Sequence, residues 1–124
     1  MAVATVQVTV VDCPEPKALA DFYAELLGGE VKGADDARWI DLYLPDGSRL
    51  AFQRAPGFQP PQWPAADRDS QQIHLDLLVD DMAEAEAKTL ALGAKALDTD
   101  DDGGKRGFRV YADPAGHPFC LIHP

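Results

Sequence analysis

The sequence predicts an α+β fold of two pseudo-symmetric βαβββ modules, whose eight strands form a cupped, mostly antiparallel sheet with the helices on its outer face. The main observation is an internal repeat: both halves of the chain show the same order of predicted elements, which is helix, strand, strand, turn and strand. In each half a turn precedes the last strand, at Pro45-Asp46-Gly47 and at Asp113-Pro114-Ala115-Gly116. A period near half the chain is too long for a solenoid and suits two modules packed side by side.

The length and composition of the chain set the number of domains. A chain of 124 residues that is 46% hydrophobic is long enough for one substantial core but too short for two independent ones. We therefore expect one domain, with module one at about residues 3–54, a linker at about 55–70 and module two at about 71–124.

Module one begins with a β-branched strand from Val6 to Val11. A helix with apolar residues at helical spacing follows, and it ends at Gly28-Gly29 because glycine readily adopts the left-handed conformation. A hairpin around Pro45-Asp46-Gly47-Ser48 then joins a strand at Trp39 to Leu44 to a strand at Leu50 to Arg54. Alternation along the first strand places Val6, Val8 and Val10 on one face and Gln7, Thr9 and Val11 on the other.

Module two repeats this order after a proline-rich linker that interrupts regular strand pairing. The linker carries Phe58 and Trp63, which we expect to pack across a pocket mouth or a subunit interface, or to act as simple anchors. Asp80 or Asp81 is expected to cap the second helix, which ends at Gly93. The predicted strands are Ile73 to Val79, with its odd-numbered residues on the apolar face, then about Lys95 to Leu97, Phe108 to Ala112 and Pro118 to His123.

The strand alternation also predicts which face carries function. If the helix-covered face of each sheet takes the more apolar residues, the concave face collects polar and aromatic side chains. Aromatic walls with a few convergent polar groups are typical of a small-molecule site, although such groups can also simply satisfy one another. The residues assigned to this face are Gln7, Thr9, Trp39, Asp41, Tyr43, Gln53, His74, Asp76, Arg109, Tyr111 and Cys120.

His74 has two interpretations that the sequence leaves open. In the centre of a predicted strand it fits a hydrogen-bonded structural histidine, and it equally fits a metal ligand or a base. Asp76 lies two residues further on the same face, where it could orient the imidazole ring or stabilise its charge.

The acidic loop from Asp98 to Gly104 has oxygen-bearing residues at alternate positions before a glycine, as a calcium loop does. Arg109 stands where the closing bidentate glutamate of such a loop should be. We therefore expect a solvated, mobile loop, and a role as a lid stays open.

Charge and hydropathy exclude several classes of partner. The net charge of -10 opposes binding to nucleic acid or to anionic membranes, which reward clustered lysine and arginine. The N-terminus does not resemble a signal peptide and no apolar run reaches membrane-spanning length, so we expect a cytoplasmic protein. In that reducing compartment the only two cysteines, Cys13 and Cys120, are expected to be free thiols, with Cys120 buried.

Four segments carry a resemblance to a known family: the helix Leu19-Ala20-Asp21-Phe22-Tyr23 to Gly28, the segment His74-Leu75-Asp76-Leu77-Leu78-Val79-Asp80-Asp81, Leu92-Gly93-Ala94, and Asp113 to Cys120. In these segments the chain resembles the vicinal oxygen chelate superfamily, and it is most similar to that superfamily's compact glyoxalase-like domain proteins. These proteins are related to glyoxalase I, bleomycin-resistance proteins and extradiol dioxygenases. The resemblance spans nearly the whole chain and implies two βαβββ modules.

The resemblance also implies a pattern of metal ligands. Metal-using members place one ligand on each of four strands, commonly His or Gln, Glu, His and Glu. His74 matches the third position, Gln53 falls on or near the second, and Cys120 stands at the fourth in place of glutamate. The first position falls at Val8, or beside it at Gln7 or Thr9. A thiolate and an imidazole could hold zinc, but the loss of both carboxylates removes the base of a glyoxalase-type proton transfer.

The leading hypothesis is a homodimeric glyoxalase-like protein that binds a small, partly apolar organic molecule in its cup, without a tightly bound metal or other cofactor. The alternative is a lyase, isomerase or dioxygenase whose divalent transition metal uses His74, Gln53 and Cys120. A third hypothesis makes the pocket vestigial and the protein an assembly partner. Whether one chain or two form each cup stays open. The candidate ligand-binding residues are Gln7, Trp39, Tyr43, Gln53, Trp63, His74, Asp76, Arg109, Tyr111 and Cys120.

Overall fold

The structure, a computed structural model, describes residues 2–64 and 70–124, so residues 65–69 of the predicted linker lie outside the described part. The chain divides into two compact units, with the boundary between Phe58 and Gln59. The first unit contains strand β1 (Thr9–Cys13), helix α1 (Pro16–Leu27) and strands β2 (Glu30–Lys32), β3 (Trp39–Tyr43) and β4 (Arg49–Arg54). The second contains strand β5 (Leu75–Leu78), helix α2 (Met82–Ala91) and strands β6 (Lys95–Asp98), β7 (Phe108–Ala112) and β8 (Pro118–Ile122).

Each unit holds one four-stranded mixed sheet. The strand order is β1-β4-β3-β2 in the first unit and β5-β8-β7-β6 in the second. In both sheets the first strand of the module pairs in parallel with the last, and the other neighbours are antiparallel. The α+β class and the two βαβββ modules are therefore confirmed, with the eight strands divided between two hydrogen-bonded sheets.

Helix α1 covers one face of the first sheet. Its residues Leu19, Phe22 and Tyr23 are buried, and the ring of Tyr23 stacks on Phe52 of β4 with the centroids 5.8 Å apart. As predicted, the helix ends before Gly28, which has a φ of +79°. Gly29 must also be glycine, because a Cβ atom there would lie 2.3 Å from the carbonyl oxygen of Tyr43.

The turns and caps form largely as the sequence predicts. Asp46 Oδ1 accepts hydrogen bonds from the backbone N–H and the hydroxyl of Ser48 at 2.9 and 2.6 Å, which closes the hairpin between β3 and β4. Of the two candidate caps for α2, the structure selects Asp81, whose carboxylate accepts from the backbone N–H of Glu84 at 3.0 Å. The cap satisfies one of the unpaired donors of the first helical turn.

The predicted face of the first strand is wrong. Strand β1 begins at Thr9, and Val6 and Val10 are 88% and 39% exposed, whereas Cys13 is fully buried. Valines occupy both alternating positions here, so hydrophobicity alone does not select the buried face. The pairing of Val11 with Phe52 decides it, because it places the odd-numbered residues of β1 against α1. In the second unit the predicted faces of β5 are confirmed, since Leu75 and Leu77 are half-buried and Leu78 is 73% exposed, although Ile73 precedes the strand and is exposed.

Within residues 2–64 and 70–124 there is no helix with both the length and the apolar character needed to cross a bilayer. The two cysteines are free and buried, as the sequence predicts.

Phe52→Ala is expected to lower the free energy of unfolding by about 3–5 kcal/mol, because it removes a fully buried ring that α1 packs against. Trp39→Ala is the control, since this ring is 41% exposed and its loss should cost far less. Denaturant unfolding of both variants measures the difference. Equal losses would show that the Tyr23 and Phe52 stack is not part of the stabilising core.

Candidate functional site

One face of the second sheet brings together three of the predicted site residues. Asp76 of β5 lies directly opposite Cys120 of β8, and direct cross-strand partners share a face. His74 lies two residues before Asp76 and therefore belongs to the same face. We call this surface the histidine face and define it by His74, Asp76 and Cys120.

The polar atoms of the histidine face converge. His74 Nε2 lies 3.1 Å from Asp76 Oδ1, within hydrogen-bond distance. One ligand atom from each of His74, Asp76 and Cys120 lies within 4.8 Å of the others. His74 and Asp76 are exposed, whereas Cys120 is 4% exposed. The face thus combines two accessible polar groups with a thiol at its base.

The thiol of Cys120 is held in its neutral form. Burial, and then the negative charge of Asp76 and a hydrogen bond to it, raise the pKa of Cys120 to about 11, and the charge of Arg106 opposes this only in part. A thiol with a pKa this high is protonated at neutral pH and is a poor nucleophile. Cys120 is therefore an apolar, polarisable surface unless a bound cation displaces its proton.

Trp63 of the linker packs on this face. Its ring stacks on His74 with the centroids 6.5 Å apart and the planes 17° from parallel. Trp63 is half-buried, which agrees with the prediction that a linker aromatic would pack against the protein. Its role in ligand binding stays a prediction.

Arg106 is a neighbour of the face that the sequence analysis missed. Its guanidinium donates to the backbone oxygens of Phe108 at 3.0 Å and of Asp98 at 2.9 Å, and pairs with the Asp98 carboxylate at 3.0 Å. It also lies over the Phe108 ring, 4.6 Å from its centroid. Strand periodicity could not identify Arg106, because the residue precedes β7 and belongs to no strand.

Arg109 and Tyr111 do not lie on the histidine face, contrary to the prediction. They pair with Leu121 and Phe119, so they share the opposite face, and Arg109 forms an ion pair with Glu86 of α2. The hydroxyl of Tyr111 is buried, and burial followed by the charge of Glu86 raises its pKa to about 12. The prediction is wrong because polar character does not by itself identify the concave face: Arg109 pairs with Glu86 of α2, and the Tyr111 hydroxyl is buried on the same side of the sheet.

Asp101 anchors the acidic loop, so the expectation of a solvated loop is wrong at this residue, whereas Asp100 and Asp102 are exposed as expected. Asp101 Oδ2 accepts from Arg109 Nε at 2.7 Å and lies 2.8 Å from His123 Nε2, and the side chain is only 7% exposed. These partners, led by Arg109, lower the pKa of Asp101 from 3.8 to about 2. Arg109, which stands where a calcium loop would have its closing glutamate, donates instead to the Asp101 carboxylate of the loop.

Asp101→Asn is expected to destabilise the protein at neutral pH and to remove part of its acid sensitivity. The folded-state pKa of Asp101 lies below its ordinary value, so its stabilisation is complete above about pH 4 and is lost as the pH falls towards 2. The loss of stability on acidification is measured from the unfolding midpoints of wild type and variant at several values from about pH 7 to about pH 2.

Asp102→Asn is the control for this prediction. Asp102 is exposed and has a φ of +54°, a conformation that asparagine tolerates. The assignment would be wrong if wild type and Asp101→Asn lost stability in parallel as the solution is acidified.

Asp76→Asn is expected to lower the pKa of Cys120, because it removes the negative charge that disfavours the thiolate. The measurement is thiolate absorbance against pH in a Cys13→Ser background, which leaves Cys120 as the only cysteine. Asp80→Asn, an exposed carboxylate beyond the end of β5, is the control. An unchanged titration in Asp76→Asn would mean that burial alone governs the thiol.

In the first unit, four predicted residues share one face of the sheet. Trp39 pairs with Gln53 across β3 and β4, and Asp41 and Tyr43 follow at alternate positions of β3. Trp39 Nε1 donates to Asp41 Oδ1 at 3.0 Å. Arg49, which the sequence analysis missed, donates to the Tyr43 hydroxyl at 3.2 Å and lies 3.6 Å from Asp41. The alternation of β4 could have identified Arg49, because it lies four residues before Gln53.

Gln7 and Thr9 do not join this face. Thr9 pairs with Leu50, so it lies on the side that α1 covers, and Gln7 precedes β1 and is exposed. Their places are taken by Val10 and Asp12, which pair with Ala51 and Gln53. The cause is the same as for the valines of β1: the assignment of residues to the two faces of this strand is shifted by one residue.

His74, Asp76 and Cys120 together offer the types of donor atom that zinc uses. Imidazole nitrogen, carboxylate oxygen and thiolate sulfur are the donors that zinc uses, and three protein ligands leave a fourth position open. Asp76 supplies a carboxylate that the predicted set of His74, Gln53 and Cys120 lacked. Gln53 belongs to the first unit, and its part in any ligand set stays a prediction.

A cleft of about 550 Å³ opens at the start of α1 in the first unit. Side chains of both signs line it, including Lys17, Asp21, Asp35 and Arg54. Lys17 is already paired with Asp21 at 2.9 Å. None of the ten predicted ligand-binding residues lines this cleft.

Comparisons with known proteins agree with the fold. A family model described as a glyoxalase-like domain matches residues 8–122, and none of the curated proteins matches the chain. Similar solved structures include a possible glyoxalase from Bacillus cereus, with a TM-score of 0.70, 11% identity and coverage of 98% of this chain and 99% of that chain. At such identity the likeness concerns the fold.

Two further similar structures are of proteins named for antibiotic resistance. The fosfomycin resistance protein FosX from Mesorhizobium loti has a TM-score of 0.67 at 13% identity, covering 98% of this chain and 92% of its own. A glyoxalase/bleomycin resistance protein from Albidiferax ferrireducens has a TM-score of 0.61 at 16% identity, with 98% and 99% covered.

Proposed function

Because the chain belongs to the glyoxalase-like domain family of the vicinal oxygen chelate superfamily, we propose that it binds a small, partly apolar organic molecule on the histidine face, without a tightly bound metal. The proposal rests on the residues of this face and not on the names of related structures, because a shared fold does not imply a shared ligand.

The observation that carries the proposal is the packing of Trp63 on His74 beside Asp76 and Cys120. An aromatic wall, a neutral thiol and two accessible polar groups occur together in one place. Small-molecule sites have this composition, with mainly apolar surface and a few polar groups that fix the orientation of the ligand.

Each side chain has a distinct part in this proposal. Asp76 holds the His74 ring through the contact at Nε2, so the imidazole is presented in one orientation. The Asp76 carboxylate is 56% exposed and is able to accept a hydrogen bond from a ligand hydroxyl or amine. Cys120 supplies polarisable contact surface below them.

Metal-assisted catalysis is the second candidate, and the convergence of three donor atoms within 4.8 Å supports it. His74, Asp76 and Cys120 would hold the ion, which would supply Lewis-acid chemistry to a bound substrate. Two features favour the metal-free proposal. The donor atoms of His74 and Asp76 already contact each other, and binding must displace a proton from a thiol whose pKa is raised.

The proposal also includes a homodimer in the cytoplasm, with no nucleic acid or membrane partner. The acidic net charge of -10 supports the absence of polyanionic partners. Two buried free thiols suit a reducing compartment.

Native mass spectrometry of the untagged chain, purified without chelator, is expected to show a metal-free protein, with or without an organic adduct. A metal-sized mass that is present in wild type and His117→Ala but absent in His74→Ala would reject the metal-free proposal in favour of the second candidate. His117 is the control because it lies in the turn before β8, outside the histidine face.

Ligand binding is tested by thermal unfolding with a panel of small cyclic alcohols and phenols. A ligand at one hundred times its dissociation constant stabilises a protein by about 2.7 kcal/mol, which is several degrees for a chain of this size. Asp76→Asn and His74→Ala are expected to reduce the stabilisation. A shift that is the same in both variants as in wild type would mean that the ligand binds elsewhere.

A further inference from the structure

The proline-rich residues 59–64, here called the strap, contact the second unit at two points. Near the start of the strap, Pro60 lies against Gly116, and near its end Trp63 stacks on His74. Both contact points belong to the unit that begins at Gln59. The strap therefore connects a turn of this unit to its histidine face.

The first contact has almost no free space. Gly116 has a φ of +97°, and a Cβ atom added there would lie 2.6 Å from Cβ and 2.7 Å from Cγ of Pro60. The proline ring thus occupies the volume that a side chain at position 116 would need. Any residue other than glycine would displace the strap, the turn, or both.

The turn beneath Pro60 is internally braced. Asp113 is 3% exposed, and its Oδ1 accepts from the backbone N–H of Ala115 at 2.9 Å and of His117 at 3.0 Å. The turn continues directly into β8, which carries Cys120. Pro60 therefore packs on a hydrogen-bonded turn that leads directly into the strand carrying Cys120 of the histidine face.

The second contact places two flat rings beside an accessible hydrogen-bond acceptor. The planes of Trp63 and His74 are 17° from parallel with the centroids 6.5 Å apart, at the long end of the range for aromatic pairs. The neighbouring Asp76 side chain is 56% exposed. Flat surfaces favour a planar ring, and an exposed carboxylate favours a donor on that ring.

We propose that Trp63, positioned by the seating of Pro60 on Gly116, is the specificity-determining residue of the histidine face and selects planar aromatic molecules that carry a hydrogen-bond donor. This inference rests on the proposed function, which it deepens by naming the class of ligand. A saturated ring of the same size is puckered and does not lie flat on the indole, so it loses the stacking energy.

The test compares two probes with the same bicyclic carbon skeleton and one hydroxyl group, planar aromatic naphthol and its saturated, puckered analogue decahydronaphthol. Binding to the full chain is measured by calorimetry and by chemical-shift changes of the Trp63 indole N–H. Wild type is expected to prefer naphthol by about tenfold, the upper range of an aromatic stacking contribution. Trp63→Leu should remove the preference while keeping an apolar side chain, and Trp63→Phe should retain most of it.

Gly116→Ala tests the seating of the strap without touching the histidine face. It is expected to reduce the preference for naphthol. Gly47→Ala is the matched control, because Gly47 has a φ of +91° in the corresponding turn of the first unit and a Cβ atom there meets nothing within 4 Å. Both variants place an alanine at a similar positive φ, +97° and +91°, and only Gly116→Ala is expected to displace the strap.

The outcomes separate the inference from the proposed function. Equal affinity of wild type for both probes, or an unchanged preference in Trp63→Leu, would overturn the role of Trp63 and leave small-molecule binding standing. Binding of neither probe would overturn both. If Gly116→Ala fails to fold, as circular dichroism would reveal, the two Trp63 variants still decide the question.

Discussion

The parallel pairing of the first and last strand in each module is the constraint on which the rest of this structure depends. It sets Val11 opposite Phe52 in one unit and Asp76 opposite Cys120 in the other. Because side chains alternate along a strand, a shift of one residue in β5 would turn Asp76 towards the helix-covered face and separate it from Cys120. Backbone hydrogen bonds, more than attraction among polar groups, therefore assemble the histidine face.

The two modules use one topology with different chemistry under their helices. Beneath α1 the contact is apolar, with Tyr23 stacked on Phe52. The helix α2 buries only Met82 and Thr89, and its Glu86 joins an ionic network with Arg109. Arg109 also binds Asp101, and because the pKa of this carboxyl is lowered to about 2, its stabilising contribution is lost only in strong acid.

The donor atoms of the histidine face that contact one another are also the atoms that would bind a metal ion, so the two arrangements exclude each other. With His74 paired to Asp76 and the thiol of Cys120 protonated, the face presents a hydrogen-bonding edge beside an aromatic wall. A bound cation would replace the contact between His74 and Asp76 and displace the proton of the Cys120 thiol to solvent, so that the same residues would act as ligands. The strap adds Trp63 to this face, so the selectivity proposed above depends on a segment outside the regular strands.

The sequence by itself determined the βαβββ order, the turns at Gly47 and Gly116, the end of α1 and the pairing of His74 with Asp76, because each depends on residues close together in the chain. Only the tertiary structure decided that Arg109 and Tyr111 lie beneath α2, that Thr9 faces α1, and that Asp101 anchors its loop. Alternation has two possible phases, and the phase is set by the register with a strand some 40 residues away. Charge likewise does not reveal whether a polar side chain faces solvent or a buried partner, since that depends on contacts distant in sequence.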